Sequence, residues 1–591
     1  MPEDDPTRTR RAARDTFVRL LDFLRPYRAS LAVSSALAIA SQVAGILVVV
    51  LVGVVIDELR GRADPSVLRL EIAAIVGLGL VRGALMYGRR VISGRQALAV
   101  EYDMRDELYS HFLGLSFGFY DRSQTGQLMS RATIDLQSVR FFLGYGLIFF
   151  AQHVVTVVVV TAVLFFYSWQ LALIALAITP LIVLTAYRYS HVSHPVLRDV
   201  QQKLADVATV AEESITGVHV VKSFSQEDRR AASFATAANA VFVQAVAANR
   251  QRALYVPLLT FLPSIAIAVV LLAAGHMVIS GSLTTGRFSA FILLLAMLVM
   301  PVRMLGMWIG QAQRAVGAGE RIFEVLDEPE EVTDRLGAEV LAPGPGRVVF
   351  ENVTFGYDYE RPVLEGIDLE IPAGRTVALI GKTGSGKTTL AALVPRFYDT
   401  TAGRVLVDGV DVRHVARRSL RREIGVISQD PFLFSTSVRD NIALGLPDAP
   451  HEAIEAVAHA AQAHEFILDL PQGYDTVIGE RGITLSGGQR QRIAIARALL
   501  IDPRILILDD ATASVDATTE AKIRSGLREV MKSRTTIIIA HRLSTIALAD
   551  EIAVLDQGRI AARGTQAELL AESAVFREIH EHGLLQQVVA G

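Results

Sequence analysis

The sequence predicts two domains of different class: an α-helical transmembrane domain of six long helices, followed by an α/β domain with a phosphate-binding loop. Of the 591 residues, 51% are hydrophobic, and long charge-free runs lie in the first half of the chain. Such a chain exceeds one domain and is too apolar for a purely soluble enzyme. The second half begins near Pro343 and carries the motif Gly381-Lys-Thr-Gly-Ser-Gly-Lys387-Thr388. This pattern of two glycines, a lysine and a hydroxyl residue is typical of a phosphate loop.

The charge-free stretches predict about six membrane spans, each of which needs roughly 20 apolar residues. They are the ranges 29–56, 141–187, 253–286 and 288–302. The second range is long enough for two spans with a tight turn near Ser168. The stretch 72–88 is a weaker span because Arg82 interrupts it. Either Arg82 faces a cavity or a partner, since a charge within a membrane is unfavourable, or its helix begins or ends nearby.

The residues before the first span predict an amphipathic helix in the membrane interface. Its apolar side chains share one helical face, and basic residues follow them. The apolar residues are Phe17, Leu20, Leu21 and Leu24, and the basic ones are Arg25 and Arg28. Basic residues flanking a span favour the cytoplasmic side, and an even number of spans returns the chain to that side. We therefore expect a multi-pass protein of the cytoplasmic membrane with both termini in the cytoplasm.

Polar stretches of unusual length separate neighbouring spans, at 102–141 and 188–252. Structureless loops of this length are uncommon in compact proteins, so we expect the helices to continue beyond the membrane and turn there. The segments 120–126 and 213–217 contain turn-forming residues and mark these turns.

These observations divide the chain into four regions. We expect an N-terminal tail and interfacial helix at 1–28, the transmembrane domain at 29–310, a linker at 311–342 and the nucleotide-binding domain at 343–591. The net charge is only −3, which argues against a nucleic-acid partner. The chain contains no cysteine, so it has neither a disulfide framework nor a thiolate metal site.

The phosphate loop predicts binding of ATP. The apolar run 377–380 predicts a strand that leads into the loop, and glycines leave main-chain N–H groups open to phosphate oxygens. Lys387 is expected to reach the β and γ phosphates, and the Thr388 hydroxyl to bind Mg²⁺. The predicted nucleotide-binding residues here are Gly381, Lys382, Thr383, Gly384, Ser385, Gly386, Lys387, Thr388 and Thr389.

A second apolar run, 504–509, ends in two adjacent aspartates. Asp509 lies at the end of a predicted buried strand, where it completes the magnesium site. Asp510 follows it directly.

The chain resembles an ABC exporter half-transporter over nearly its whole length. The most specific resemblance is the motif Leu485-Ser-Gly-Gly-Gln489, about sixteen residues before the aspartate pair. In this family the motif closes over ATP held by a partner's phosphate loop, so Ser486, Gly487, Gly488 and Gln489 are implied to contact nucleotide. The resemblance thus implies that a second ABC half-transporter is an obligatory partner, and that segments 120–126 and 213–224 are coupling regions.

The resemblance also assigns roles to single residues. Tyr357 is implied to stack on adenine, although an aromatic residue at a sheet edge is an alternative. Gln429 matches the family's glutamine loop and is implied to sense Mg²⁺ or water. His541 follows the run 535–540 and is implied to contact the γ-phosphate or orient water. Asp516 matches the loop through which the two ATP sites communicate.

Asp510 stands where this family normally has glutamate, and aspartate is shorter by one methylene. The resemblance favours the low-turnover subunit of a heterodimeric exporter of hydrophobic or amphipathic substrates in a lipid bilayer. A homodimer with aspartate as the catalytic carboxylate and a siderophore-type importer on the exporter fold are the alternatives. The substrate's identity cannot be predicted from the residues.

Overall fold

A computed structural model of the chain describes residues 6–60, 64–358, 361–479, 485–510, 525–540 and 542–589. The chain divides into two compact units. The first comprises Met1–Phe112 and Gly126–Asp327, and the second comprises Leu113–Thr125 and Glu328–Gly591.

The first half of the chain is helical throughout its described residues, and all helices named here except α4 lie wholly or mostly in the first unit. In chain order they are α1 (Pro6–Asp22), α2 (Arg28–Arg60), α3 (Pro65–Gly114), α4 (Phe117–Arg122), α5 (Thr125–Ser130), α6 (Leu136–Phe141), α7 (Leu147–Tyr167), α8 (Trp169–Ala177), α9 (Thr179–Thr216), α10 (Val218–Ser223), α11 (Glu227–Ile279) and α12 (Thr285–Leu326). Two π-helical turns, Arg131–Asp135 and Phe142–Gly146, make α5 to α7 continuous.

The prediction of six spans is confirmed. Among the described residues, six helical segments are long and apolar enough to cross a membrane. The expected turn lies at Ser168, whose hydroxyl caps α8 by accepting from the Leu171 N–H at 3.4 Å. Arg82 lies in the middle of α3, so the interpretation that its helix begins or ends nearby is wrong. Its guanidinium packs over Gly45 of α2, where a Cβ would lie 3.0 Å from the Arg82 Cζ.

Helices α2 and α12 approach each other closely at a pair of glycines. A Cβ at Gly53 would lie 2.7 Å from the carbonyl oxygen of Gly286. Asp57 anchors the same contact, since its carboxylate accepts from the Gly286 N–H at 2.6 Å and from the Thr284 hydroxyl at 2.5 Å. Small residues allow membrane helices to approach this closely.

The predicted amphipathic helix forms as α1, and part of its apolar face is buried by the protein itself. Leu20 is fully buried and Leu24 is 4% exposed. Leu20 lies against Gly319 of α12, where a Cβ would meet its side chain at 2.9 Å. Arg19 adds a bidentate ion pair with Asp327, at 2.6 and 2.7 Å.

The last long helix ends later than the hydropathy pattern indicates. Helix α12 continues to Leu326. Residues 311–326, expected as the start of the linker, are therefore helical.

The second unit is an α/β fold, as predicted. Its strands are β1 (Val348–Phe355), β2 (Leu364–Ile371), β3 (Thr376–Ile380), β4 (Ala402–Val407), β5 (Val410–Asp411), β6 (Ile424–Ile427), β7 (Ile505–Asp509), β8 (Thr535–Ile539), β9 (Glu551–Asp556) and β10 (Arg559–Gly564). Its helices after α4 are α13 (Lys387–Leu393), α14 (Arg417–Arg422), α15 (Val438–Ile442), α16 (His451–Ala460), α17 (His464–Leu468), α18 (Gly487–Leu500), α19 (described at 525–531), α20 (Leu543–Ile546), α21 (Gln566–Glu572) and α22 (Ala574–Val589).

Two sheets organise this unit. A six-stranded sheet has the order β10-β9-β3-β8-β7-β6, in which all neighbours except β9 and β10 are parallel. A four-stranded antiparallel sheet has the order β2-β1-β4-β5. The strands β3 and β8 are buried along their whole length. Parallel strands that are covered on both faces have continuous apolar sequences, so β3 and β8 could both be predicted.

Candidate nucleotide-binding site

The phosphate loop follows the carboxyl end of β3, which is an interior strand of the six-stranded sheet. The loop needs glycine where its backbone is left-handed. Gly386, which caps α13, has φ +96°, and a Cβ there would lie 2.6 Å from the Leu364 side chain. Gly384 has φ +84° with open space around it. The loop therefore holds its main chain in a shape that L side chains rarely adopt.

Lys387 is buried beneath the loop and directed at it. Its side chain is 5% exposed, and its ammonium donates to the carbonyl oxygens of Gly381 and Lys382 at 2.9 and 3.1 Å. Burial lowers the pKa of Lys387, while the charge of Asp509 acts in the opposite direction. Asp509 therefore lies within electrostatic reach of Lys387.

The loop contains an unused hydrogen-bonding group. Ser385 is 4% exposed, and its hydroxyl has no partner among the described residues. Buried polar groups are normally paired, so this hydroxyl fits an oxygen-rich ligand such as a nucleotide phosphate. Thr388 is exposed next to it. Lys382, by contrast, donates to Glu578 at 2.9 Å, so only its main chain is directed to a ligand.

The donor set suits Mg²⁺ held jointly with nucleotide. The predicted ligands are the Thr388 hydroxyl, the Asp509 carboxylate and the Gln429 amide, and Gln429 is exposed beyond the end of β6. The described residues contain no cluster of three His, Cys, Asp or Glu that would hold a metal alone. Mg²⁺ commonly binds one or two protein groups together with substrate phosphates. These residues therefore fit the ion only when a nucleotide is present.

Asp510 has an unusual backbone. Its φ is +40°, its side chain is 5% exposed, and its N–H donates to the Ile539 carbonyl at 3.1 Å. This bond joins the end of β7 to β8 and fixes the backbone position from which the Asp510 side chain extends. His541 and Asp516 lie outside the described residues.

Tyr357 is placed for a stacking role. It is 47% exposed, and its hydroxyl lies 3.0 Å from the hydroxyl of Thr389 in the helix that follows the loop. Phe355 and Tyr398 contact its ring edge-on, at centroid distances of 5.2 and 5.4 Å. An exposed ring fixed by such neighbours offers a flat surface to a base.

Ser486 begins α18 rather than joining the phosphate loop of its own chain. Its hydroxyl accepts from the Gln489 N–H at 3.2 Å, and the Gln489 side chain accepts from the Ser486 N–H at 2.8 Å. This capping box orders the first turn of α18. Gly487 and Gly488 lie within that turn.

Helix α4, which overlaps the predicted coupling segment 120–126, packs within the second unit against aromatic residues that the sequence analysis did not single out. Phe117 lies 4.5 Å from Phe397 between ring centroids, and Asp121 accepts from the Tyr398 hydroxyl at 2.6 Å. Tyr398 in turn contacts Tyr357. The two aromatic residues 397 and 398, shortly after α13, were the sequence feature that could have indicated where α4 packs.

Comparison with known proteins identifies the family. A family model described as the ABC transporter transmembrane region matches residues 31–302, and the ABC transporter model matches residues 364–513. The chain belongs to the ABC transporter family. This transporter has one transmembrane region and one ATP-binding domain, which is the half-transporter architecture, and it couples ATP hydrolysis to transport as a multi-pass membrane protein.

Several relatives match the transporter over nearly its whole length. An uncharacterised ABC transporter ATP-binding protein of Bacillus subtilis is 37% identical, covering 96% of this chain and 97% of its own. An ATP-dependent lipid A-core flippase of Syntrophus aciditrophicus is also 37% identical, with coverage of 96% and 94%. A putative multidrug export ATP-binding/permease protein of Staphylococcus aureus is 36% identical, with coverage of 95% and 99%.

The fold agrees with that of a solved exporter. The structure of a bacterial Atm1-family ABC exporter with ATP bound superimposes with a TM-score of 0.76 at 30% identity. The match covers 95% of the transporter and 98% of that chain. The exporter-type fold expected from the sequence is therefore confirmed.

Proposed function

We propose that this transporter moves a hydrophobic or amphipathic substrate across the cytoplasmic membrane by alternating access. The observation that carries the proposal is the joining of six apolar helices to an ATP-binding domain in one chain. The names of two relatives, a lipid A-core flippase and a putative multidrug exporter, support substrates of this class. Export is favoured over import because both of these relatives are named for movement out of the cytoplasm or between leaflets.

The site residues act together in the proposed cycle. Lys387 and Ser385 bind the phosphates, Tyr357 stacks on adenine, and Thr388, Asp509 and Gln429 hold Mg²⁺. When bound, Mg²⁺ offsets charge on the phosphates. Asp510, His541 and Gln429 orient the attacking water.

A second half-transporter completes each ATP site. In the described residues, the hydrogen bonds of Ser486 and Gln489 stay within their own helix terminus. The segment Ser486–Gln489 is thereby ordered and free to close over nucleotide held by a partner's phosphate loop.

We favour a heterodimer in which the site built on Asp510 turns over slowly. The bond from the Asp510 N–H to Ile539 fixes the backbone, so a shorter side chain is not offset by a moved main chain. A misplacement of about 1 Å lowers a rate roughly a hundredfold. Loss of a general base lowers it about 10²–10⁴-fold. The alternative is a homodimer in which Asp510 suffices.

ATP turnover by the chain expressed alone separates the two assemblies. The heterodimer proposal expects slow hydrolysis alone and faster hydrolysis when a partner with glutamate at the equivalent position is co-expressed. In that complex, Asp510→Ala changes turnover modestly, whereas Gly488→Asp nearly abolishes it. Brisk hydrolysis by the chain alone that stops in Asp510→Ala would establish the homodimer.

Transport itself is tested in proteoliposomes with a fluorescent lipid and a fluorescent dye as candidate substrates. ATP-dependent movement out of the nucleotide-facing compartment supports export, and movement into it supports import. Lys387→Ala is the negative control. We also propose that both termini face the cytoplasm, and reporters fused at Met1 and Gly591 should give the same cytoplasmic signal.

A further inference from the structure

A buried cation without a carboxylate partner lies within the first unit. Arg89 is 7% exposed and belongs to α3, a membrane-spanning helix. The other two buried charged side chains among the described residues of this unit are Glu101 and Asp135. Arg105 donates to Glu101 at 2.6 Å, and Arg321 donates to Asp135 at 3.0 Å.

Arg89 has no such pairing. Its Nε has no hydrogen-bond partner in the described part of the chain. An arginine is charged at every physiological pH, and a charge within a membrane is unfavourable unless it meets a counter-charge or water. The fold therefore maintains a buried positive charge that its own described residues do not neutralise.

The ring of Phe149 contacts this cation, and two further rings stack on Phe149. The Arg89 guanidinium carbon lies 4.7 Å from the ring centroid of Phe149 on α7. Trp308 of α12 stacks on Phe149 at 5.4 Å with an interplanar angle of 10°, and His153 stacks on it at 6.2 Å. A cation–π contact compensates a buried charge only in part. The contact with Phe149, on which Trp308 stacks, connects Arg89 to α7 and α12.

Other buried polar atoms on the same three helices are also unused. Among the described residues, Trp308 Nε1, His153 Nδ1 and the amide nitrogen of Gln96 are buried without a hydrogen bond. The spacing of seven residues puts Gln96 on the same face of α3 as Arg89. The side-chain oxygens of Gln96 and Gln152 are unpaired as well. Buried polar groups without partners are rare in native structures, so a group of them indicates a ligand.

A mostly apolar cavity, whose polar wall residues include Gln313 and Glu320, extends to Trp308. Its volume is about 570 Å³, and Trp308 lines it together with Phe17, Phe142 and Phe150. Trp308 thus belongs both to the cavity wall and to the stack that holds Arg89.

We propose that the N–H groups of Arg89 and Trp308 bind the oxyanion of an amphipathic ligand whose apolar body fills this cavity. A carboxylate, phosphate or sulfonate supplies both the missing negative charge and acceptors for the Arg89 and Trp308 N–H groups. Water alone would supply acceptors but no charge. That the ligand is the transported substrate rests on the proposed function; an anionic phospholipid of the bilayer has the same chemistry.

Binding is measured through Trp308 without ATP. The chain has two tryptophans, and Trp169→Phe removes the other, which is 61% exposed. In this background, the full-length protein in phosphatidylcholine nanodiscs is titrated with 8-anilinonaphthalene-1-sulfonate, which accepts energy from tryptophan. The uncharged N-phenyl-1-naphthylamine is the matched probe, and empty nanodiscs give the background.

Arg89→Gln should weaken binding of the sulfonate probe on the order of tenfold, the loss expected for one hydrogen bond to a charged group. Binding of the uncharged probe should be unchanged. Arg90→Gln, which removes the exposed neighbouring arginine, should leave both probes unaffected. Equal losses for the two probes, or equal effects of the two substitutions, would overturn the proposal.

The unaltered transporter gives an independent test that does not depend on a variant folding. Decyl sulfate should displace the sulfonate probe, and decanol at the same concentration should not. Equal displacement would contradict an oxyanion site. Phosphatidylglycerol added to the nanodiscs weakens probe binding if the natural ligand is a lipid headgroup, and has no effect if it is a soluble amphiphile. Loss of ATP-driven transport with probe binding intact would refute the proposed function and leave this site standing.

Discussion

The Tyr398 hydroxyl donates to the carboxylate of Asp121 at 2.6 Å, which joins α4 to the residues beside the ATP site. The ring of Tyr398 contacts Tyr357 at 5.4 Å, and Tyr357 lies against Thr389. Burial and the hydrogen bond to Asp121 raise the pKa of Tyr398. The phenol therefore remains a donor at physiological pH. The side chains of Asp121, Tyr398 and Tyr357 connect α4 to Thr389 through a continuous series of contacts.

Tyr398→Phe removes this bond and keeps the ring. We expect ATP affinity within about twofold of the parent, because the aromatic contact with Tyr357 is retained, and less substrate moved per ATP hydrolysed. A hydrogen bond to a charged group contributes about 1.5–3 kcal/mol. The ratio of transport to hydrolysis in proteoliposomes measures this. Tyr474→Phe, which removes a hydroxyl bonded to His464, is the control, and a ratio equally altered in both would show that the Asp121 bond is not responsible.

Lys387→Ala should weaken ATP binding on the order of a hundredfold, because the loop loses its buried cation. Calorimetry on the purified transporter measures the affinity, and circular dichroism checks the fold. Lys382→Ala removes the same side chain from the same loop, but that side chain is bonded to Glu578. The ATP affinity of Lys382→Ala should change by no more than about twofold. A comparable loss of affinity in both variants would contradict the assignment of Lys387 as the phosphate-binding lysine.

ATP affinity should decline in alkaline solution. Burial lowers the pKa of Lys387 below its ordinary value, and only the charged form attracts phosphate. Binding is therefore complete below the lowered pKa and falls as the pH rises through it, before the usual lysine value of about 10.4 is reached. Affinities measured between about pH 7 and pH 10 test this. Lys387→Arg keeps its charge, so its affinity should not show the decline.

Asp510→Glu should accelerate ATP hydrolysis at the site that carries it by about tenfold to a hundredfold, since the added methylene returns the carboxylate to the reach usual in the family. Steady-state turnover of the purified dimer measures the change. Asp510→Asn, which keeps the size of aspartate without its charge, should not accelerate it. Slower hydrolysis in Asp510→Glu would mean that the site is built around the shorter side chain.

Gly286→Ala should destabilise the transmembrane helices by about 1–3 kcal/mol, as expected for overpacking. A Cβ there would lie against the carbonyl oxygen of Gly53, too close for any small adjustment. Gly79→Ala is the control, since nothing lies within 4 Å of its added methyl. A thermal unfolding temperature lowered equally in both variants would contradict the close helix contact.

The parts of the molecule that follow local rules were predictable from the sequence. The strands β3 and β8 appear as continuous apolar runs, and the phosphate loop has a fixed spacing of glycines and lysine. The end of α12 was not predictable in this way, because hydropathy marks the edge of the membrane rather than the end of a helix. Helix α12 continues to Leu326 with a polar exterior.

Contacts between residues far apart in the chain could not be predicted from the sequence. Asp121 and Tyr398 are separated by 277 positions. Asp121 belongs to the predicted coupling segment 120–126, but no motif in the sequence indicated Tyr398 as its partner. The sequence shows Arg89 as a charge next to the predicted span 72–88. Whether a carboxylate pairs with it depends on the residues that α7 and α12 place beside it. Lys382 belongs to the phosphate-loop pattern, yet its side chain turns to the C-terminal helix. The motif predicts the main-chain conformation here, whereas tertiary contacts determine the orientation of the Lys382 side chain.

The length of α11 has a mechanical consequence. Its 53 residues extend about 80 Å at 1.5 Å per residue, of which the hydrocarbon core takes only about 30 Å. The remaining part is a stiff arm. A tilt of about 5° at the membrane edge displaces the far end of a 50 Å arm by roughly 4 Å, as much as three residues of helical rise. A small repacking among the spans is therefore sufficient to cause a large displacement at the far end of α11.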